Sequence, residues 1–138
     1  MDLDNQIAAL QADLNNAHHV TYLTGAGVST PSHIPDYRSK NGIYNGISES
    51  PEQILSEDTL FHEPAKFHHF VMENMYFPNA QPNIIHQKIA VSCNKNGTLI
   101  TQNVDGLDKK AGNKHVIEFH GNLYNIFCTK CHEKISYE

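Results

Sequence analysis

Residues 20–24, Val-Thr-Tyr-Leu-Thr, run straight into Gly25-Ala26-Gly27, and two prolines, Pro31 and Pro35, follow soon after. A β-branched and aromatic run that stops at a Gly-x-Gly pair reads as a strand ending in a tight turn. Glycines at such a place let backbone amides approach an anion such as a phosphate. The third glycine of the dinucleotide-binding pattern is absent, with Thr30 in its place. Pro31 and Pro35 oppose the long helix that ordinarily follows. Taken alone, the glycine pair is equally well explained by a tight turn between core elements.

The rest of the chain sets this turn in an α/β context. Leu3, Ile7, Leu10, Leu14 and Ala17 recur at helical spacing and predict an amphipathic helix over 2–17. Residues 40–62 lack one clear period, but Ser50-Pro51-Glu52-Gln53 combines an N-cap serine with proline at the first helical position and predicts a short helix through Leu55. Pro64 opens a helix carrying Phe67, Phe70, Val71 and Met75, before Pro78 and Pro82 break the chain. A further helix is predicted from about Asn83 to Asn94, stopped near Gly97. Thr98–Thr101 and His115–Phe119 read as strands. Strands separated by helical segments imply a Rossmann-like parallel sheet with flanking helices. After Gly121 the character changes: Leu123–Phe127 alternates into Cys128-Thr129-Lys130-Cys131, and Ile135-Ser136-Tyr137 reads as a returning strand.

Composition bounds the function. The 138 residues suffice for one domain with a core, and no apolar run approaches the roughly 18–20 residues of a membrane-spanning helix. A net charge of −5 with scattered lysines lacks the electrostatic footprint of a nucleic-acid binder. Three cysteines, an odd number without a secretion signal, argue against a disulfide framework and for a cytoplasmic protein.

Four constellations could carry chemistry. Ile34-Pro35-Asp36-Tyr37-Arg38 packs an acid, an aromatic ring and a guanidinium into one loop, suited to a phosphate or ribose and a flat ring, or to a pinned surface turn. Gln102, Asn103 and Asp105 follow a strand, where open α/β sheets bind ligands, although Asn, Asp and Gly are also ordinary turn residues. His120, again past a strand, could act as a general base or serve structure. Cys128 and Cys131 have the spacing of a zinc knuckle. A redox pair is less favoured because no helix follows. Cys93 falls on a helix face and reads as buried and inert.

In this order and spacing the motifs resemble the sirtuins, the NAD-dependent protein deacylases. The resemblance rests on Gly25-Ala26-Gly27-Val28-Ser29 with Ile34-Pro35-Asp36-Tyr37-Arg38-Ser39, on Pro82-Asn83 with His86, on Thr101–Leu107, on Phe119-His120-Gly121 and on Cys128-x-x-Cys131. It implies cofactor contacts from Gly25, Ala26, Gly27, Ser29, Asp36, Tyr37, Arg38, Gln102, Asn103, Asp105 and His120. Within that set it implies catalytic roles for His120, the general base, and Asn103, and it makes Cys128 and Cys131 ligands of a structural Zn²⁺. The implied reaction moves the acyl group of a lysine side chain to ADP-ribose, with release of nicotinamide.

Three departures from the family pattern stand out. His33 replaces a usual glycine, Tyr37 a usual phenylalanine, and Asp108 a common histidine. His68 and Val71 stand where sirtuins that prefer acidic acyl groups carry a Tyr-x-x-Arg pair, so a neutral acyl group such as acetyl is expected. Residues 1–121 are expected to form the first part of the NAD-binding domain, with a helical insertion at about 40–95, and 122–138 to open a zinc subdomain. The chain ends seven positions after Cys131 and so reads as a truncated N-terminal portion, inactive alone. A missing C-terminal half or another chain would complete it and supply the other two zinc ligands. An acyl-lysine protein or peptide is the expected substrate, with no nucleic acid and no membrane as partner. Two rival readings are a protein mono-ADP-ribosyltransferase and a non-catalytic NAD- and zinc-binding interaction module.

Overall fold

A computed structural model describes residues 2–37, 42–43, 46 and 49–136. Three strands, β1 (Val20–Thr24), β2 (Gly97–Thr101) and β3 (Val116–Glu118), form a parallel sheet in the order β1-β2-β3. Val20 pairs with Gly97 and Thr24 with Thr101, while Leu99 pairs with Val116 and Thr101 with Glu118. All three strands therefore end on the same side, where the sequence places its polar motifs. The helices are α1 (Leu3–Asn16), α2 (Pro51–Ile54), α3 (Glu57–His62), α4 (Pro64–Asn74), α5 (Ile84–Asn96) and α6 (Leu107–Lys110).

The expected Rossmann-like α/β architecture is present, with differences in detail. The helix over 2–17 forms, but its apolar stripe stays in the open, with Leu3, Ile7 and Leu10 all exposed. Ser50 does not cap α2; its hydroxyl donates to Glu52 instead. A second short helix, α3, follows, capped by Ser56, whose side chain accepts the Thr59 N–H. Buried Ile54, Thr59 and Phe70 knit α2, α3 and α4 into a small helical module.

α5 covers the face of the sheet that presents Leu99 and Thr101, and Ala90, Cys93, Leu99 and Leu107 form the core there. Cys93 is buried as expected, and burial pushes its thiol above the usual range. The opposite face carries Leu23, Ile100 and Ile117 in one row across the three strands. Leu23 is 69% exposed and Ile117 is 52% exposed, while Ile100 between them is half-buried.

Gly97 stops α5, although not by a left-handed turn. Its φ of −145° is already extended and belongs to β2. Glycine is required there by crowding: a Cβ would sit 2.7 Å from the Val20 carbonyl oxygen and 3.3 Å from Cys93 Cα. Helix and strand thus join without an intervening loop.

Asn122 and Leu123 stay tied to the sheet end, Asn122 Nδ2 donating to Glu118 and the Leu123 N–H to the Val104 carbonyl, and a separate hairpin follows. β4 (Ile126–Phe127) pairs antiparallel with β5 (Lys134–Ile135), so the returning strand expected after the cysteines is present but two residues long. Among the described residues no helix is long and apolar enough to cross a membrane.

Candidate functional site

After β1, the chain does turn into a helix despite its prolines. Ala26–Ser32 is a 3₁₀ helix containing Pro31. Proline is tolerated because the acceptors it leaves unused are taken by side chains. A 3₁₀ helix would pair the missing N–H with the Val28 carbonyl, and Asn83 Nδ2 donates to that oxygen at 2.8 Å. Thr30 Oγ1 donates to the Gly27 carbonyl at 3.0 Å. The helix ends at His33 with φ of 64°, in the left-handed region, where glycine would be free of strain.

Asn83 links this helix to α5. Its Nδ2 donates to Val28 O and Ser32 Oγ, and its Oδ1 accepts the Ile85 N–H at 2.8 Å. His86 completes a capping box, Nδ1 accepting the Asn83 N–H at 3.2 Å. The His86 ring is 1% exposed and turns Nε2 toward Ser29 Oγ, 3.4 Å away. The Pro-Asn-x-x-His pattern is thus a clamp on the glycine turn. Sequence reasoning assigned His86 no site role, although an N-cap asparagine with histidine at N3 was the available signal.

Ser29 sits at the centre of the network. Its hydroxyl donates to Asp105 Oδ2 at 2.6 Å and accepts from Asn103 Nδ2 at 3.2 Å. Asn103 Nδ2 also reaches the Gly25 carbonyl at 3.1 Å, and its backbone N–H donates to Thr101 Oγ1. Asp105 Oδ1 accepts the Leu107 N–H, which starts α6. Asn103 is buried, while Gln102 beside it faces out.

Two adjoining spaces open on this network. A cavity of about 30 Å³ is bounded by Ala26, Ser29, Pro35, Tyr37, Asn103 and Asp105, with Ile34, Ile43 and Met75 among its apolar walls. A cleft of about 580 Å³ adjoins it, sharing Ala26, Tyr37, Met75, Asn103 and Val104. Gly25, Gln102 and His120 also line the cleft, with Phe67, Val71, Leu55 and Leu123 as an apolar wall. A Cβ built on Gly25 or Gly27 would meet nothing within 4 Å, and neither residue has a positive φ. Packing therefore does not require these two glycines, and the space beside them is open to a ligand's phosphate. The amides that open a 3₁₀ helix also lack intrahelical acceptors.

Gly25, Ala26, Ser29, Tyr37, Gln102, Asn103, Asp105 and His120 thus come together from distant parts of the chain. Gly27 and Asp36 do not line either space; the Asp36 carbonyl accepts the Ile43 N–H at 2.8 Å. Arg38 lies outside the described residues. Of His68 and Val71, only Val71 lines the cleft.

Cys128 and Cys131 lie in the β4–β5 hairpin and are free thiols, the first half-buried and the second exposed. The Cys131 and Lys130 backbone amides and the Cys131 side chain lower the Cys128 pKa, which favours the thiolate a metal needs. Among the described residues no group of three or more His, Cys, Asp or Glu side chains could hold a metal ion.

Known proteins were compared against this geometry. The family model described as Sir2 family matches residues 25–138. The chain is 56% identical over 128 residues to a Listeria innocua protein named NAD-dependent protein deacetylase, covering 92% of this chain and 56% of that protein. It is 46% identical over 134 residues to a Lactiplantibacillus plantarum protein of the same name, covering 96% and 57%. Among solved structures, a Sir2 with a deacetylated peptide and 3′-O-acetyl ADP ribose superposes with a TM-score of 0.82 at 35% identity, covering 94% of this chain and 53% of the other. A Sir2 bound to a propionylated peptide gives 0.76 at 33%, covering 95% and 52%. The chain spans about half the length of the curated relatives it matches.

Proposed function

The chain belongs to the Sir2 family, and we propose that it forms the first part of an NAD-dependent protein-lysine deacetylase. The observation that carries this reading is the cleft with its adjoining cavity, one lined by Gly25, Asn103 and His120 and the other by Ser29, Asn103 and Asp105, at the ends of parallel strands. NAD, when bound, supplies an activated nicotinamide–ribose bond and takes the acyl group.

The residues divide the work by position. Gly25, Ala26 and Gly27 offer backbone amides to phosphate, with Ser29 and Asp36 shaping the turn and Arg38 a cation for the same end. Tyr37 covers the nicotinamide end, where the small cavity also presents Asp105 to a carboxamide. Gln102 and Asn103 hydrogen-bond ribose hydroxyls from the end of β2. His120, exposed at the cleft, withdraws a ribose proton as general base, and Asn103 holds the reacting end in place. The apolar wall of Phe67, Val71 and Leu123 suits a neutral acyl group such as acetyl.

Residues 1–121 form the NAD-binding portion and 122–138 the opening of a zinc subdomain. Cys128 and Cys131 would provide two of four thiolate or imidazole ligands for a structural Zn²⁺, a fit supported by the depressed Cys128 thiol. Three free thiols suit a reducing compartment and support a cytoplasmic location.

The test mixes a full-length protein that contains this chain with NAD and an acetyl-lysine peptide. Nicotinamide release should match deacetylated peptide, and His120→Ala should abolish turnover while NAD still binds by calorimetry. Nicotinamide release with ADP-ribosylated protein and intact acetyl peptide would overturn the deacetylase reading.

A further inference from the structure

His120 owes its place to the backbone turn that carries it. The ring is exposed and, among the described residues, makes no hydrogen bond; Phe119 beside it meets it edge-on, with ring centroids 5.1 Å apart. Phe119 is itself 69% exposed, so that contact does not fix the ring. The turn leaves β3 at Glu118 and closes where the Gly121 N–H donates to the Glu118 carbonyl at 3.1 Å, with Gly121 in the left-handed region at φ of 83°. His120 is the residue just before that closing glycine, and whatever holds both ends of the turn aims the ring.

Side chains hold both ends. Asn122 Oδ1 accepts the Tyr124 N–H at 2.9 Å, and a backbone N–H can only donate, so Asn122 Nδ2 faces the other way. It donates to Glu118 Oε1 at 2.6 Å, bridging the residue that opens the turn and the residue just past it. Glu118 Oε2 accepts from Lys109 Nζ of α6, and the Glu118 side chain is only 13% exposed.

The same contacts reach Asp105. Its Oδ1 accepts the Leu107 N–H that opens α6, and Lys109 lies in that same short helix. Asn122 packs against Gly106, just before the helix: a Cβ there would lie 3.1 Å from Asn122 Nδ2, and Gly106 has a φ of 70°. Glycine takes that backbone without strain and leaves the amide room. α6 therefore joins the carboxylate at the cavity wall to the turn at the cleft.

We propose that Glu118, Asn122 and Lys109 are positioning residues, a brace across the His120 turn that aims the ring at the cleft and ties it to the Asp105 end of α6. The consequence for turnover rests on the reading of His120 as general base; the brace itself does not. Asn122 matters most, because it touches Glu118, the exit of the turn and Gly106. Lys109 holds the more exposed end of the pair and matters less.

The experiment measures turnover of NAD and an acetyl-lysine peptide by a full-length protein that contains this chain, beside ¹³C NMR relaxation of the His120 ring. Asn122→Asp keeps an acceptor for the Tyr124 N–H but sets two carboxylates face to face. It should lower kcat about a hundredfold while KM for NAD stays within about twofold, and the ring should become more mobile. Asn122→Ala removes the bridge without repulsion and should lower kcat about tenfold with the same split. Lys109→Met should cost about threefold, and Lys109→Arg should recover it. An unchanged kcat in both Asn122 variants, with His120→Ala inactive, would overturn the brace and leave the general-base reading standing. Losses in kcat and KM that track a falling thermal midpoint would also overturn it, as the mark of ordinary destabilisation. Turnover that survives His120→Ala would overturn the general-base reading. The relaxation data then decide the brace alone: a looser ring in the Asn122 variants upholds it and an unchanged ring overturns it.

Discussion

The Asn103–Asp105 wall and the Cys128–Cys131 hairpin are held in opposite ways. Asn103 alone is tied to Gly25, Ser29 and Thr101, and Asp105 to Ser29 and the start of α6. The hairpin rests on two strands of two residues, with both strand faces exposed. The wall is shaped before any ligand arrives, which lowers the ordering cost of binding. The hairpin presents two thiols with little packing behind them, so a metal bound there would supply much of its order.

The sharpest way to break the wall is to separate the strands that carry it. Gly97→Ala forces a Cβ into the Val20 carbonyl, and urea unfolding should show a loss of about 3 kcal/mol. Ser29→Ala keeps the backbone but leaves Asp105 and Asn103 short of a partner. It should cost about 2 kcal/mol in the same assay and weaken NAD binding. Cys128→Ser probes the other region: the thermal midpoint of metal-free protein should stay nearly unchanged, while zinc uptake measured with a chromophoric chelator is lost. Thiol reactivity sharpens the contrast, because the Cys128 pKa is lowered and that of Cys93 is raised. Iodoacetamide near neutral pH should label Cys128 well before Cys93, as mass spectrometry of peptides would show. The smallest effect belongs to His33→Gly, which relieves a left-handed histidine and should stabilise the fold by about 0.5 kcal/mol after the added chain entropy of glycine.

Strand positions and polar strand ends could be read from the sequence because β-branched runs and glycine turns mark them locally. Val20–Thr24 and the helix opening at Asn83 stand as expected, since each carries its own boundary residues. The 3₁₀ helix through Pro31 could not be read that way. Its feasibility depends on Asn83, more than fifty positions away, donating to Val28. The Asn83–His86 cap had a local signal, but the approach of the His86 ring to Ser29 had none, because it joins positions more than fifty residues apart. The exposure of Leu23 and Ile117 was equally unreadable, because a strand with apolar residues on both faces does not say which face is covered.

The direct passage from α5 into β2 has a mechanical consequence. Starting at the 3₁₀ helix, one can travel through Asn83 into α5, across Gly97 into β2, and from Asn103 back to Ser29 without leaving covalent or hydrogen bonds. The route is a closed truss with no slack loop in it. A push on the glycine turn is therefore shared by the far strand end, and the two sides of the cleft travel together.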